Sequence, residues 1–381
     1  MCLAFKLVVL TRKSPSPLLT SNSDMNLGSS CRAALAFAFI STASADLAFA
    51  NGDTALYDVR FDATWSNATH PGAFPGGAHF SPLIGATHNS SVEFWAPGSL
   101  ATPGIEGMAE TGSQFGLFGE INVAITAGTA GAAHLGNGLG SPDTESLTFT
   151  VTDEFPLFTM VTMIAPSPDW FVGVHGVDLQ TSTGWVDSLT VQAFAYDSGT
   201  DNGLGFNSPN SNTSPADPIS LITGGPFDGT VDLGTFTFTR RASTFSYGSV
   251  NPVDSFLQTG GDTQIGGTGQ INLALSDPTG SMGQPSIAFW AASASADPLF
   301  PNGSLFADFG LIAPGSVGEL LVGPTFITRV AGVWNGSPVN FNLPIPNDPA
   351  LDGAHVYFQG FLIDGSNRIG LTNAIEFVLG L

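Results

Sequence analysis

From Leu56 onward apolar and polar residues alternate in short runs. LYDVRFDATW sets Tyr57, Val59 and Phe61 on one face, and SLTFTVTDEF (146–155) and LFTMVTMIAP (157–166) keep the period of two. FVGVHGVDL (171–179), LTVQAFAYD (189–197) and VDLGTFTFTR (231–240) follow. Side chains two apart share a sheet face, so each run predicts a strand with one face buried. Turn residues recur roughly every ten positions between the runs, the rhythm of an antiparallel sandwich. One stretch differs. IEGMAETGSQFGLFGEINVAI has apolar residues at 105, 108, 109, 115, 117, 118 and 121. That spacing is a poor helical one, and each glycine costs about 1 kcal/mol in a helix interior. Only short helical pieces are expected there.

The pattern pauses at Arg240-Arg241 and resumes after a polar stretch. INLALSD, SIAFWAAS, FITRVAGVW, VNFNLPIP and HVYFQGFLID are again short and alternating, and IEFVLGL closes the chain as a final strand. The expected organisation is a β-sandwich over residues 51–241 and a second, sandwich-like β-domain over 245–381. Composition agrees: Gly 47 and Pro 26 punctuate a chain that is 43% hydrophobic, ample for a core and against disorder.

Residues 1–50 read as a leader. An Ala-rich apolar run follows Arg32 and ends in the small-residue sites Ala43-Ser44-Ala45 and Ala48-Phe49-Ala50. This is the layout of a secretory signal peptide, with Met25 as its natural start. The apolar run is short for a membrane span, and no span is expected in the mature chain. Both cysteines, Cys2 and Cys31, precede the cleavage sites, so the mature chain uses no disulfide. Cleavage removes Lys6, Arg12, Lys13 and Arg32 against Asp24 and Asp46, which takes the formal charge from −22 to −24 and leaves no lysine. Such a surface repels nucleic acid and anionic lipid and suits divalent cations. Solubility alone accounts for much of it.

With so few cations, the carboxylates beside prolines, glycines and aromatics stand out. Asp197 and Asp201 flank Ser198-Gly199-Thr200, and a tight turn at Gly199 can aim both at one spot. Asp169 follows Pro168 and precedes the apolar run Trp170-Phe171-Val172. If the strands 171–179 and 189–197 are neighbours, all three reach one end of the sandwich. Two carboxylates about 4 Å apart repel by about 4 kcal/mol at an effective dielectric of 20. A Ca²⁺ ion, which takes about 6 to 8 oxygen ligands, would relieve that repulsion. The plainer reading of aspartates in such a turn is Asx capping.

Residues 57–240 resemble the spondin N-terminal domain of the F-spondin and mindin family. The resemblance rests on WSNATHPGAFP (65–75), HFSPLIGATH (79–88), FWAPGSLATPGIEGMAETG (94–112), APSPDWFVGVHGVDL (165–179) and YDSGTDNGLGFNSPNSNTSP (196–215), in that order. It implies an extracellular, C2-like antiparallel β-sandwich that carries one Ca²⁺. Its metal-ligating aspartates fall on Asp169, Asp197 and Asp201, with Glu110 and Glu120 as candidates for a further ligand. This chain departs from the family in lacking cysteines near the motifs, in having Gln180 after VDL, and in having no thrombospondin-type repeats after the domain.

His70, His79 and His88 are spaced nine apart, but zinc ligands follow no fixed sequence period, and all three read most simply as turn and packing residues. His175 reads as a hydrogen-bonded strand residue. No nucleophile elbow, zinc-protease helix or phosphate-cradling loop occurs. Trp65, Trp95, Trp170, Trp185, Trp290 and Trp334 are either core residues or a sugar-stacking platform. The expectation is a secreted, calcium-binding, non-enzymatic protein of extracellular interaction or adhesion, its partner an unidentified extracellular protein or glycan. A carbohydrate- or surface-polymer-binding protein is the second reading and a hydrolase with an unmarked carboxylate pair the third. The leader and the style of the second half point to a bacterial source.

Overall fold

A computed structural model of the chain describes residues 53–381. The leader, its cleavage sites and both cysteines lie outside the described residues. Nearly all the predicted runs form strands, and all the strand pairs within sheets are antiparallel.

One eight-stranded sheet forms the backbone of the fold. Across it lie Phe326–Trp334, Ser286–Ser293, His355–Asp364, Ile369–Val378, Gly234–Tyr247, Thr54–Ala63 and Asp143–Thr152, with Ser188–Ala193 as a further partner of Gly234–Tyr247. The long strand Gly234–Tyr247 changes partner along one edge. Its residues 234–239 pair with Ser188–Ala193, and its residues 243–247 pair with 374–378. Its opposite edge pairs with Thr54–Ala63 from Gly234 to Thr244. The double arginine sits at the change-over. The register slips between Leu56 and Tyr57, which face Ala242 and Arg240, so Arg241 is the extra residue of a bulge. Arg240 pairs with Asp187 and Arg241 with Asp58. The break in the sequence pattern is thus a bulge inside one continuous strand, and the sheet runs through it.

A second eight-stranded sheet packs on the N-terminal half. Its central strands are Leu157–Ala165 and Trp170–Asp178, with Ile84–His88 against the first and Tyr196–Asp197 against the second. Tyr57, Val59, Phe61, Phe236 and Phe238 of the first sheet meet Phe158, Met160, Ile164, Val172 and Val174 of the second in one core. The expected LTVQAFAYD strand divides. Ser188–Ala193 joins the first sheet, and Tyr196–Asp197 crosses to the second.

Leu157–Ala165 is buried on both faces, because two helices cover its outer side. Pro103–Thr111 (α1) and Phe115–Thr126 (α2) pack Ile105, Met108, Leu117 and Ile121 against Val161, Met163 and Phe171. The glycines that argued against helices here explain how the two pack. A Cβ on Gly104 would lie 2.7 Å from the Leu117 backbone, and one on Gly116 would lie 3.3 Å from Gly104. Close approach of the two axes offsets the propensity cost. Thr102 caps α1 by accepting from the Ile105 amide, and Gly112 ends it at φ 69°.

The C-terminal half of the first sheet is covered by Phe256–Gly261, Gln270–Leu275 and Val339–Pro344. Phe256, Leu273, Trp290, Trp334, Phe358 and Phe377 fill the space between. All six tryptophans are buried, none more than 4% exposed. The tryptophans are therefore core residues, the first of the two readings, and the sugar-stacking alternative is not met.

His134 is wedged against Phe149 and Phe158, with its Nε2 buried and unpartnered. Burial lowers its pKa to about 4. The unfolded chain then binds a proton near the ordinary value of about 6.5 that the fold refuses. Stability from this group is whole above that value and is lost as pH falls toward 4. His134→Phe should remove up to about 2–3 kcal/mol of that acid loss. Urea unfolding at pH 7.5 and pH 4.5 checks it, and an unchanged difference between the two would count against the assignment.

Candidate functional site

The candidate site forms where Trp170–Asp178 starts and Tyr196–Asp197 ends. These strands pair Trp170 with Asp197 and Phe171 with Tyr196, which sets Asp169 opposite Ser198. The chain then turns at Gly199, whose φ is 76°. A Cβ there would lie 2.0 Å from the Asp217 carbonyl oxygen, so only glycine fits. The following loop folds back on itself through Thr213 N–H to Thr200 O and Asn202 N–H to Ser211 O, both 2.8 Å.

Asp169 is 0% exposed. Its Oδ2 accepts from the Ser198 hydroxyl (2.9 Å), the Thr200 amide (2.9 Å) and the Asp201 amide (3.1 Å). Its Oδ1 is buried with no partner. Asp197 accepts from the Gly199 amide at 2.8 Å and from the Trp170 indole N–H at 3.2 Å. Burial first, and the adjacent Asp169 charge second, push the Asp197 carboxyl up to about 6. Asp201, 5% exposed, turns toward its own loop and accepts from the Gly203 amide (2.7 Å) and the Ser211 amide (2.6 Å).

The structure thus places Asp169 and Asp197 side by side, and Asp201 next in the same turn with both oxygens engaged. Asx capping and an unsatisfied carboxylate coexist in one loop. Among the described residues no set of three histidine, cysteine, aspartate or glutamate groups stands ready-gathered for a metal. The oxygen that tests the fit is Asp169 Oδ1. A fully buried carboxylate oxygen lacking a donor is costly, and beside a second carboxylate it is the acceptor a hard cation takes.

The two glutamates separate cleanly. Glu120 is committed to the start of α1: one oxygen accepts from the Thr102 hydroxyl and the other from the Gly104 amide, both at 2.7 Å. Glu110, near the end of α1, has a buried and unpartnered Oε1. Burial raises its pKa, with the Thr200 side chain opposing and the charges of Glu106, Asp169 and Asp201 adding to the rise. Glu110 also lines an open cleft of about 600 Å³ with His79, Ser81, Met163, Ala165 and Pro166. The Ser198 and Thr200 hydroxyls had no separate signal in the sequence. Their role follows from the register that sets them against Asp169.

The histidines stand apart. His70 Nδ1 lies 3.0 Å from Thr69 Oγ1, the exposed His79 lies 2.8 Å from the Gly77 carbonyl oxygen, and His88 bridges Asn89 O and Thr159 Oγ1. His175 is exposed and packs edge-on against Trp95 at 4.8 Å, not in the hydrogen-bonded sandwich position expected. No described helix is long and apolar enough to cross a membrane.

The Spondin_N family model matches residues 55–230. Human Spondin-2 is 34% identical over 179 residues, 44% of this chain and 53% of that protein. Chicken Spondin-1 is 34% identical over 180 residues, 45% of this chain and 22% of that protein. The chain therefore spans about half the length of Spondin-2 and less of Spondin-1. The match covers both helices and the whole carboxylate loop. Residues 55–230 are a spondin N-terminal domain.

Proposed function

We propose that the chain is an extracellular, non-enzymatic interaction protein whose spondin domain is stiffened at one tip by a calcium ion. Asp169 and Asp197 would hold the ion, with Asp201 completing the turn beneath them and backbone oxygens and water filling the shell. The single observation that carries this reading is the buried, donorless Oδ1 of Asp169 beside the Asp197 carboxylate. When bound, the cation supplies positive charge that offsets the carboxylates and cross-links two loops. The residues themselves do the rest. Asp169 gathers the Ser198, Thr200 and Asp201 donors, and the Trp170 indole orients Asp197. A surface that presents fixed loops suits recognition of an extracellular protein or glycan. Its strongly negative charge disfavours nucleic acid.

The carbohydrate reading loses the feature that recommended it, since every tryptophan lies in a core. Binding of the folded state alone would stabilise it by about 2.7 kcal/mol at a calcium concentration of 100 times Kd. Asp197→Ala should therefore lower the melting temperature in calcium and hardly change it in a chelator. An equal loss in both conditions would reject the metal assignment. Calorimetric titration of the full chain with calcium gives the affinity directly.

A further inference from the structure

We infer that the chain forms a dimer with a second copy of itself, by antiparallel pairing of the edge strand Phe326–Trp334 across a two-fold axis. The eight-stranded first sheet ends on this strand. It pairs with Ser286–Ser293 on one side, and no described strand pairs with its other side. It is 9 residues long and leaves a row of backbone donors and acceptors open to another chain. At the opposite end of the sheet, Asp143–Thr152 carries Asp143 and Glu145, charges of the kind that blunt an edge. Phe326–Trp334 carries no acid, and none occurs between Glu319 and Asp348. In a chain of formal charge −22, two copies repel through most of their surface, and an acid-free strand is where they can meet. A partner of opposite charge would instead seek the acidic surface.

The side chains at this edge are apolar as well. Val330 and Val333 are 61% and 55% exposed, and Ile287 on the neighbouring strand is 46% exposed. The register sets Val333 beside Ile287 and Val330 beside Phe289, and Phe289 stacks on Phe361 at 5.1 Å. These side chains form an apolar patch that runs up to the edge of the sheet. A slip in register between Ala288 and Phe289 leaves Ala331 as a bulge, which bends the strand beyond it. The regular run 326–330 is therefore the part that pairs. Centred on Thr328, it sets Thr328 against its own copy and Phe326 against Val330. All three share one face, so a threonine pair is flanked there by two aromatic–β-branched pairs. The two sheets become one, and the apolar patch continues across the axis. Such a dimer carries two spondin domains and can engage a repetitive extracellular surface through both at once. This goes beyond the function proposed above and needs no calcium.

The test is sedimentation of the full chain over a concentration series. Wild type should pass from monomer to dimer between about 1 and 100 μM, and more readily as added salt screens the like charges. Thr328→Lys sets two ammonium groups opposite each other at the axis and should weaken dimerisation by about tenfold or more. Thr150→Lys, at an exposed position of the opposite edge strand, makes the same change of charge and should leave the affinity within about twofold. Circular dichroism checks that each variant folds. If Thr328→Lys does not, Val330→Lys serves, with the same weakening expected. Wild type that stays monomeric at about 100 μM would overturn the proposal and leave the edge to the strand of a different protein. Dimerisation that weakens with salt, that both edge lysines leave intact, or that Thr150→Lys weakens as much, would overturn pairing through this strand. None of these results bears on the calcium reading, which stands or falls on the melts described above.

Discussion

Asp169→Asn should make the protein more stable than wild type in a chelator and less stable than wild type in saturating calcium. The reversal of sign follows from the two oxygens of one carboxylate. Oδ2 accepts from Ser198, Thr200 and Asp201, and an asparagine oxygen can keep those bonds. Its amide nitrogen replaces the oxygen that has no donor, and the charge beside Asp197 is gone. Without metal, the variant sheds a buried unpaired charge, a relief of about 1–3 kcal/mol. With metal, it lacks the central ligand and forgoes about 2.7 kcal/mol at 100 times Kd. Asp169→Ala differs, because it strands three donors and should destabilise in both conditions. Thermal melts of the three proteins in calcium and in EDTA decide the matter. A loss for Asp169→Asn in EDTA would mean that Oδ1 bears no uncompensated charge.

The second large effect concerns a buried carboxylate that needs no ion. Glu319 is 1% exposed. It accepts from the Ser249, Val250 and Gly303 amides at 2.8, 3.0 and 2.8 Å. Both of its oxygens are satisfied, in contrast to Asp169. Glu319→Ala would leave the buried Gly303 N–H and the part-buried Ser249 and Val250 N–H groups without their acceptor, a cost of about 2–4 kcal/mol in all. The loss should be the same with and without calcium. Chemical denaturation in both conditions measures it. A calcium-dependent loss would place a cation near this second carboxylate and undo the contrast.

Set side by side, the two carboxylates differ in how fully their oxygens are satisfied. Each is buried and each organises a loop. Only Asp169 keeps an oxygen without a donor, next to a second acid.

The strands were legible because a period of two survives any packing that buries one face. Tyr57, Val59 and Phe61 therefore appear in the core as the alternation requires. The aspartates were legible as a turn, since Gly199 must adopt positive φ and the motif spacing is local. The helices were under-read, because the benefit of Gly104 and Gly116 lies in a contact between two helices and not in either sequence. Arg240-Arg241 was a true irregularity, but whether it is a bulge or a boundary depends on the partners of the strand. Glu110 and Glu120 could not be ranked, since their difference lies in which oxygens already have donors.

By itself, then, the sequence determined the all-β class, the local shape of the carboxylate turn and the membership of residues 55–230 in a spondin domain. These rest on short-range backbone geometry and on side-chain periodicity. Only the tertiary structure decided that one sheet runs through residue 240, that the tryptophans are core, and that Asp169 and Glu110 each keep a buried oxygen without a donor. Burial and hydrogen-bond satisfaction depend on residues far apart in the chain, and they exist only once the layers have packed.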